Sequence, residues 1–149
     1  FEQGVKKAIV TFASANNRIK RQDEYDRLVS IGFEMINIIH PEAYIDPSAH
    51  VGHGNLILEG AKIGTQCEIG NNNYINVNSV LCHHSKLEGN IHLAPSSVVA
   101  GFVEIGRHSL IGMCSTIVSG AKIGENVVVN NGANVVSDIA NNSVIKVKS

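Results

Sequence analysis

The chain has 149 residues, of which 44% are hydrophobic, and its 12 Lys and Arg against 13 Asp and Glu give a formal charge of −1 at neutral pH. Such a balance offers no basic field for nucleic acid, and no apolar run approaches the length of a membrane span, so neither a nucleic-acid nor a membrane partner is expected. The length suits one repeat domain plus a fragment of another. Cys67, Cys82 and Cys114 lack paired spacing and no signal peptide precedes them, which points to a reducing, cytoplasmic compartment.

The first forty residues read as a strand, a helix and a strand. Ala8 to Ala13 (AIVTFA) has the composition of a buried strand. Arg21 to Ile31 carries Tyr25, Leu28 and Val29 on one helical face, and Gly32 stands where a helix C-cap belongs. Met35 to Ile39 (MINII) reads as a second strand, ended by His40-Pro41. The unit is expected to be parallel and right-handed. Two parallel strands make too small a sheet to stand alone, and Phe1 is not a native start. Residues 1–41 are therefore expected to be the last part of a doubly wound, Rossmann-like α/β domain whose opening strands lie outside this chain.

From Ile45 the pattern changes. Every sixth residue up to Val135 is aliphatic, sixteen times in one register that includes Ile57, Leu81, Val99 and Ile117. Neither a helix, with its period of 3.6, nor a two-sided strand, with its period of two, produces that spacing. A fixed hexapeptide repeat predicts a parallel β-helix, with one short strand and one corner per hexad and three hexads per triangular coil. About five coils are expected between Ile45 and Val135, within a domain covering residues 42–149. The residue two places before each aliphatic is usually small, as at Ala61, Ser79, Ser85 and Ala121, while Ile91, Val103 and Val127 would widen the interior. Asn71, Asn72, Asn78, Pro47 and Pro95 fall two or three places after an aliphatic, where corners need unusual φ.

Three stretches carry a family resemblance over nearly the whole chain: AIVTFASANNRIK, GFEMINIIHPEAYIDPSA and, most sharply, SVLCHHSKLEGNIHLAPSSVVAG from Ser79 to Gly101. Together with the His-x8-His-x8-Gly spacing of His83, His92 and Gly101, they resemble the bacterial sugar O- and N-acetyltransferases of the sialic acid O-acetyltransferase type. The nearest likeness is to the nucleotide-sugar N-acetyltransferases that acetylate a 4-amino sugar, as in the bacillosamine pathway. The resemblance implies a left-handed β-helix, a homotrimer, acetyl-CoA as co-substrate, no metal, and a sugar or nucleotide-sugar acceptor. It implies that His83 is the catalytic base, that His92 contacts the acyl donor near its thioester, and that the Gly101 N–H meets the acetyl carbonyl oxygen; Met113 is grouped with the cofactor-binding residues. The family usually has a carboxylate directly after the base. Here His84 stands in that place and is taken as the second catalytic residue, with Glu88 the carboxylate nearby in sequence. The tail, Ser143 to Lys148, departs from the family's Gly-x-Pro-Ala-Lys.

The residue types suit the reaction. An amine or hydroxyl attacking a thioester must lose a proton, and imidazole titrates near neutrality. The charge that develops on the carbonyl oxygen needs a fixed N–H donor. Cys82 beside His83 also permits a Cys–His nucleophile, although its place directly after an aliphatic favours packing. His40, His50, His53 and His108 fall at linker, outward or corner positions, where solvated histidines are the default.

Repeat arithmetic then divides the site. His83 and Gly101 are eighteen residues apart and should stack one coil apart, at about 4.8 Å. His92 is half a coil from His83, more than about 10 Å across the prism, so both can serve one site only from different subunits. Val98 and Phe102 are outward hydrophobics available for such an interface. Two other classes compete with this reading. A zinc enzyme of the γ-carbonic-anhydrase kind would need His83, His84 and His92 to converge. A non-catalytic solenoid such as an ice-binding face would need a regular threonine array, yet only Thr11, Thr65 and Thr116 occur.

Overall fold

A computed structural model of the chain describes residues 4–12 and 18–147. Strand β1 (Lys7–Ala8) pairs in parallel with β2 (Glu34–Met35), and helix α1 (Arg18–Ile31) connects them. The helix starts three residues before its expected position. It ends as anticipated: Gly32 takes φ 103°, its N–H reaches the Val29 carbonyl at 2.9 Å, and the Phe33 N–H reaches that of Leu28 at 3.1 Å. Val10, Tyr25 and Met35 form a small core with Ala8, Leu28 and Phe33 against it. Val29, assigned to the same helical face, is exposed instead. The expected strand Ala8–Ala13 is only two residues long and starts at Lys7, with Val10 buried beyond it; Ala13 lies outside the described residues.

The expected strand Met35–Ile39 divides in two. Ile36 still donates to the Ala8 carbonyl, but Ile38 donates to that of Asn55, and Ile38–Ile39 pairs with Leu56–Ile57. The cause lies at Asn37, whose amide bonds the Gly52 carbonyl and accepts from the Asn55 N–H, drawing the chain into the repeat. The solenoid therefore begins one hexad earlier than Ile45, and it makes about six turns rather than five.

Apart from the two-stranded β1–β2 sheet, all ladders belong to the solenoid, are parallel and build three faces. The first runs from Ile38–Ile39 through Tyr74–Ile75 and His92–Leu93 to Val144–Ile145. The second runs from Tyr44–Ile45 through Val80–Leu81 and Val98–Val99 to Asn134–Val135. The third runs from His50–Val51 through Lys86–Gly89 to Lys122–Ile123, extended by a bridge to Ile139. Partners are eighteen residues apart until the last turn, where Ile123 meets Ile139 and Val128 meets Val144, sixteen apart. Of the sixteen periodic aliphatics, Ile45 and Val51 are half-buried against the core and the rest are buried. Each buried Ile or Leu contributes roughly 1.5–3 kcal/mol, so the stack is held by an apolar column rather than by its exposed ion pairs.

One corner residue per hexad, three places after the aliphatic, has φ between 50° and 75° from Gly54 to Gly132. Asn and Gly fill most of these positions at low cost, but His84 (φ 58°) and Phe102 (φ 61°) also take this conformation. The inward small residues are buried as read, Ser79, Ser85 and Ser97 among them, and Asn55, Cys67 and Asn73 occupy the same kind of position, fully buried. Ile91, Val103 and Val127 each give their N–H to a polar side chain one turn below: Asn73, Ser85 and Ser109.

Candidate active site

The corner between the second and third faces is a column of Thr65, His83, Gly101 and Ser119, one residue per turn. His83 and Gly101 are directly stacked. The imidazole lies over the Gly101 Cα, so that a Cβ built there would fall 2.5 Å from Cε1 and 2.8 Å from Nε2 of His83. Only glycine leaves room for the ring in this pose. The Gly101 carbonyl accepts from Ser119 Oγ at 2.8 Å and from the Gly120 N–H at 2.9 Å, while among the described residues no backbone acceptor takes its own N–H.

His84 lies in contact with the His83 ring. The Nδ1 atoms of His83 and His84 are 3.1 Å apart, so one must carry the proton and the other accept it. With the proton on His83 Nδ1, its Nε2 lone pair is free to act as a base. Phe102 stacks on His84 with ring centroids 4.8 Å apart and meets the His83 ring edge-on at 5.1 Å. Its bulky side chain in a left-handed corner is the signal that could have marked it. Glu88 does not serve as the orienting carboxylate. It lies on the third face, where its Oε2 accepts from the Arg107 N–H at 3.3 Å. Beside His84 an open groove is lined by His50, Gln66, Glu68, Lys86 and Glu104.

His92 is on the first face, away from this corner. Its ring stacks on Tyr74 at 4.8 Å, and its Nε2 lies 3.4 Å from the Asn76 amide. Behind Tyr74 stands Arg21 of α1, with its guanidinium carbon 5.8 Å from the ring centroid. Arg21 is buried, which lowers its pKa to about 10, and its Nη1 bonds the Val10 and Phe12 carbonyls while its Nε bonds that of Asn72. This chain of contacts joins the α/β segment to the wall holding His92, and its members Arg21, Tyr74 and Asn76 were not singled out from the sequence. Met113 is exposed at the corner between the first and second faces, its N–H held by Asn131 at 2.9 Å. Within one chain, His83, His84 and Gly101 therefore converge, whereas His92 and Met113 lie elsewhere. Nor do His83, His84 and His92 form the metal cluster that the zinc reading needs; among the described residues there is no such group of three. Cys67 is buried, Cys82 half-buried and Cys114 exposed, all as free thiols. Burial raises the Cys67 pKa, and its Sγ lies 3.1 Å from the Cys82 carbonyl.

No family model matches the chain. It is 29% identical over 108 residues to GDP-perosamine N-acetyltransferase of Escherichia coli O157:H7, an alignment covering 72% of this chain and 48% of that protein. The chain thus spans about half the length of this curated relative. Its fold superposes on PerB from Caulobacter crescentus, solved with CoA and GDP-perosamine, with a TM-score of 0.91, 31% identity, and coverage of 96% of this chain and 68% of the other. The chain belongs to the nucleotide-4-amino-sugar N-acetyltransferases of the hexapeptide-repeat family. A further member, the acetyltransferase domain of PglB from Neisseria gonorrhoeae with acetyl coenzyme A, superposes with a TM-score of 0.85 and 28% identity over 91% of this chain and 66% of that one. The corner thus presents an imidazole whose Nδ1 is 3.1 Å from that of His84, stacked over a glycine whose N–H no backbone acceptor takes among the described residues.

Proposed function

We propose that the protein transfers the acetyl group of acetyl-CoA to the amino group of a nucleotide-linked 4-amino sugar, with His83 as general base. The observation that carries this reading is the His83 ring seated over Gly101 with its Nδ1 against His84, on a solenoid that matches acetyltransferases solved with CoA and acetyl coenzyme A. The sugar amine attacks the thioester carbon, and His83 Nε2 removes the proton that the new C–N bond makes acidic. The charge on the carbonyl oxygen is held by the Gly101 N–H. Collapse of the intermediate breaks the C–S bond, and the imidazolium returns its proton to the departing CoA thiolate. His84 accepts a hydrogen bond from the Nδ1–H of His83 throughout, in the place of the carboxylate usual in the family. No covalent enzyme intermediate is needed.

In this reading the β-helix is left-handed and the N-terminal segment up to Asn37 belongs to a Rossmann-like nucleotide-sugar-binding domain, while Ile38–Ile39 opens the solenoid that the 42–149 domain continues. The protein works in the cytoplasm as a homotrimer. His92 and Met113 of one subunit would face His83 of the next across a cleft that takes the acyl donor, which accounts for their separation within one chain. The exposed Val98 and Phe102 support an interface at the second face.

The test uses the full-length protein with acetyl-CoA and GDP-perosamine, following CoA thiol release and the acetylated sugar by mass spectrometry. His83→Ala is expected to lower kcat about 10²–10⁴-fold with the fold intact. Unchanged turnover without His83 would place the base elsewhere. Once His92→Ala has shown its own defect, mixing His83→Ala with His92→Ala subunits should regenerate activity in hybrid clefts. Hybrids no better than the mean of the two parents would place each site within one subunit.

A further inference from the structure

The Gly101 N–H belongs to the same peptide group as the Ala100 carbonyl. In a trans peptide these two dipoles point in opposite directions, so whatever holds the carbonyl also aims the N–H. Two kinds of corner occur in this solenoid. In one, the carbonyl directly after the aliphatic accepts from the N–H three residues on: Ser97 to Ala94 at 3.1 Å, Ala121 to Val118 at 3.3 Å. In the other, a side chain from the turn below bridges the two groups, as Asn37 does between Gly52 and Asn55 and Asn55 between Gly70 and Asn73. The Gly101 corner is of the second kind. The hydroxyl of Ser85, buried at 1% exposure one turn below, donates to the Ala100 carbonyl at 2.9 Å and accepts from the Val103 N–H at 3.1 Å. The hydroxyl is wedged into the turn in place of the direct bond. It holds the Ala100 carbonyl on the side of the buried Ser85, and the Gly101 N–H, anti to that carbonyl in the same trans peptide, is thereby held on the opposite side.

We propose that Ser85 is a positioning residue for acyl transfer: its buried hydroxyl fixes the Ala100–Gly101 peptide so that the Gly101 N–H is aimed at the thioester carbonyl oxygen. The residue touches no substrate and acts through the peptide plane. In the same column, at the same depth, Val103 and Ala121 have no hydrogen-bonding side chain, so the core does not require a hydroxyl there for packing. The inference rests on the reading of Gly101 as the oxyanion donor.

The molecule contains its own control. Ser109 makes the same wedge at another corner, donating to the Gly124 carbonyl at 2.9 Å and accepting from the Val127 N–H at 3.0 Å, remote from His83. Ser85→Ala and Ser109→Ala in the full-length enzyme should therefore lose thermal stability to a similar extent. Only Ser85→Ala should lose turnover, about tenfold to hundredfold in kcat, the range expected when a transition-state donor is misaimed rather than removed. Its KM for acetyl-CoA and the shape of its pH–rate profile should not move, because ground-state binding and the base are untouched. Should Ser85→Ala fail to fold, the isosteric pair Ser85→Thr and Ser85→Val decides: the hydroxyl-bearing variant is expected to keep the higher kcat by a similar factor. Equal kcat in the Ser85 and Ser109 variants, or in the Thr and Val variants, would overturn the inference. If His83→Ala is inactive while Ser85→Ala turns over normally, only this inference falls; if both turn over normally, the assignment of the corner as the active site falls with it.

Discussion

Replacing Gly101 by alanine is a sharp test of the corner, because the outcome depends on what the new methyl would meet. The Cβ would lie 2.5, 2.8 and 3.0 Å from Cε1, Nε2 and Nδ1 of His83, and ordinary contact begins near 3.4 Å, so the ring must retreat by roughly 1 Å. The atoms met belong to a surface side chain that can swing, and Gly101 does not occupy the left-handed φ region. The fold should therefore survive with stability changed by no more than about 1 kcal/mol, since alanine also restricts the unfolded chain. The displaced base, by contrast, should cost on the order of 10²-fold in kcat, the usual penalty for a misplacement of this size. Gly64→Ala makes the contrast, because its methyl would meet the His83 backbone nitrogen at 2.9 Å and the Cys82 carbonyl carbon at 3.2 Å, neither of which can swing. Melting temperature and steady-state kinetics on both variants separate the cases: Gly64→Ala should lose stability, Gly101→Ala activity. Normal turnover in Gly101→Ala would refute the argument that His83 works from its seat over this glycine.

Other perturbations follow from the same geometry. Leu81→Asp places an unpaired carboxylate in the middle of the apolar column at a cost of several kcal/mol, and should yield unfolded or aggregated protein by circular dichroism and gel filtration; a folded oligomer would contradict the register. His84→Asp should retain most of the activity, because a carboxylate accepts the His83 Nδ1 proton and Asp tolerates the left-handed corner, whereas His84→Ala should lose about tenfold or more of kcat; equal rates in the two would remove His84 from the orienting role. A thiol reagent should modify Cys114 first and Cys82 more slowly, reaching Cys67 only on unfolding, because Cys67 is buried and its thiol is pushed toward the neutral form; early modification of Cys67 would show that the core opens locally.

The solenoid was legible because it repeats: one inward aliphatic per six residues is a signal that adds up over many turns, and Leu81 or Ile105 need only be counted. Its first turn was not, since Ile39 lies in register but inside a run, MINII, whose composition suits any buried strand. What separates the two halves of that run is the Asn37 side chain entering the ladder, a contact with residues fifteen to eighteen positions away. Corners filled by Asn or Gly could be anticipated from backbone preference, while Phe102 and His84 contradict it, and only their place in the hexad, three after an aliphatic, marks them as corners. In the site, the stacking of His83 on Gly101 follows from a spacing of one turn. The His83–His84 bond depends on rotamers and is invisible to spacing. The contacts from Arg21 through Tyr74 to His92 cross from the helix to the prism, and the hexad pattern carries nothing about how that helix docks.

Because the corner column recurs once per turn, the prism behaves as a one-dimensional lattice in which Thr65, His83, Gly101 and Ser119 are equivalent sites. The chemistry is then a pair of substitutions at neighbouring lattice points, and the lattice is indifferent to its own length. Eighteen residues added below Thr65 would lengthen the protein and leave that pair untouched. Six residues added between His83 and Gly101 would keep every aliphatic pointing inward, yet rotate all that follows by one face and carry the glycine out from under the histidine. Growth of such a molecule by whole turns preserves an active site, and growth by single hexads moves it to a different wall.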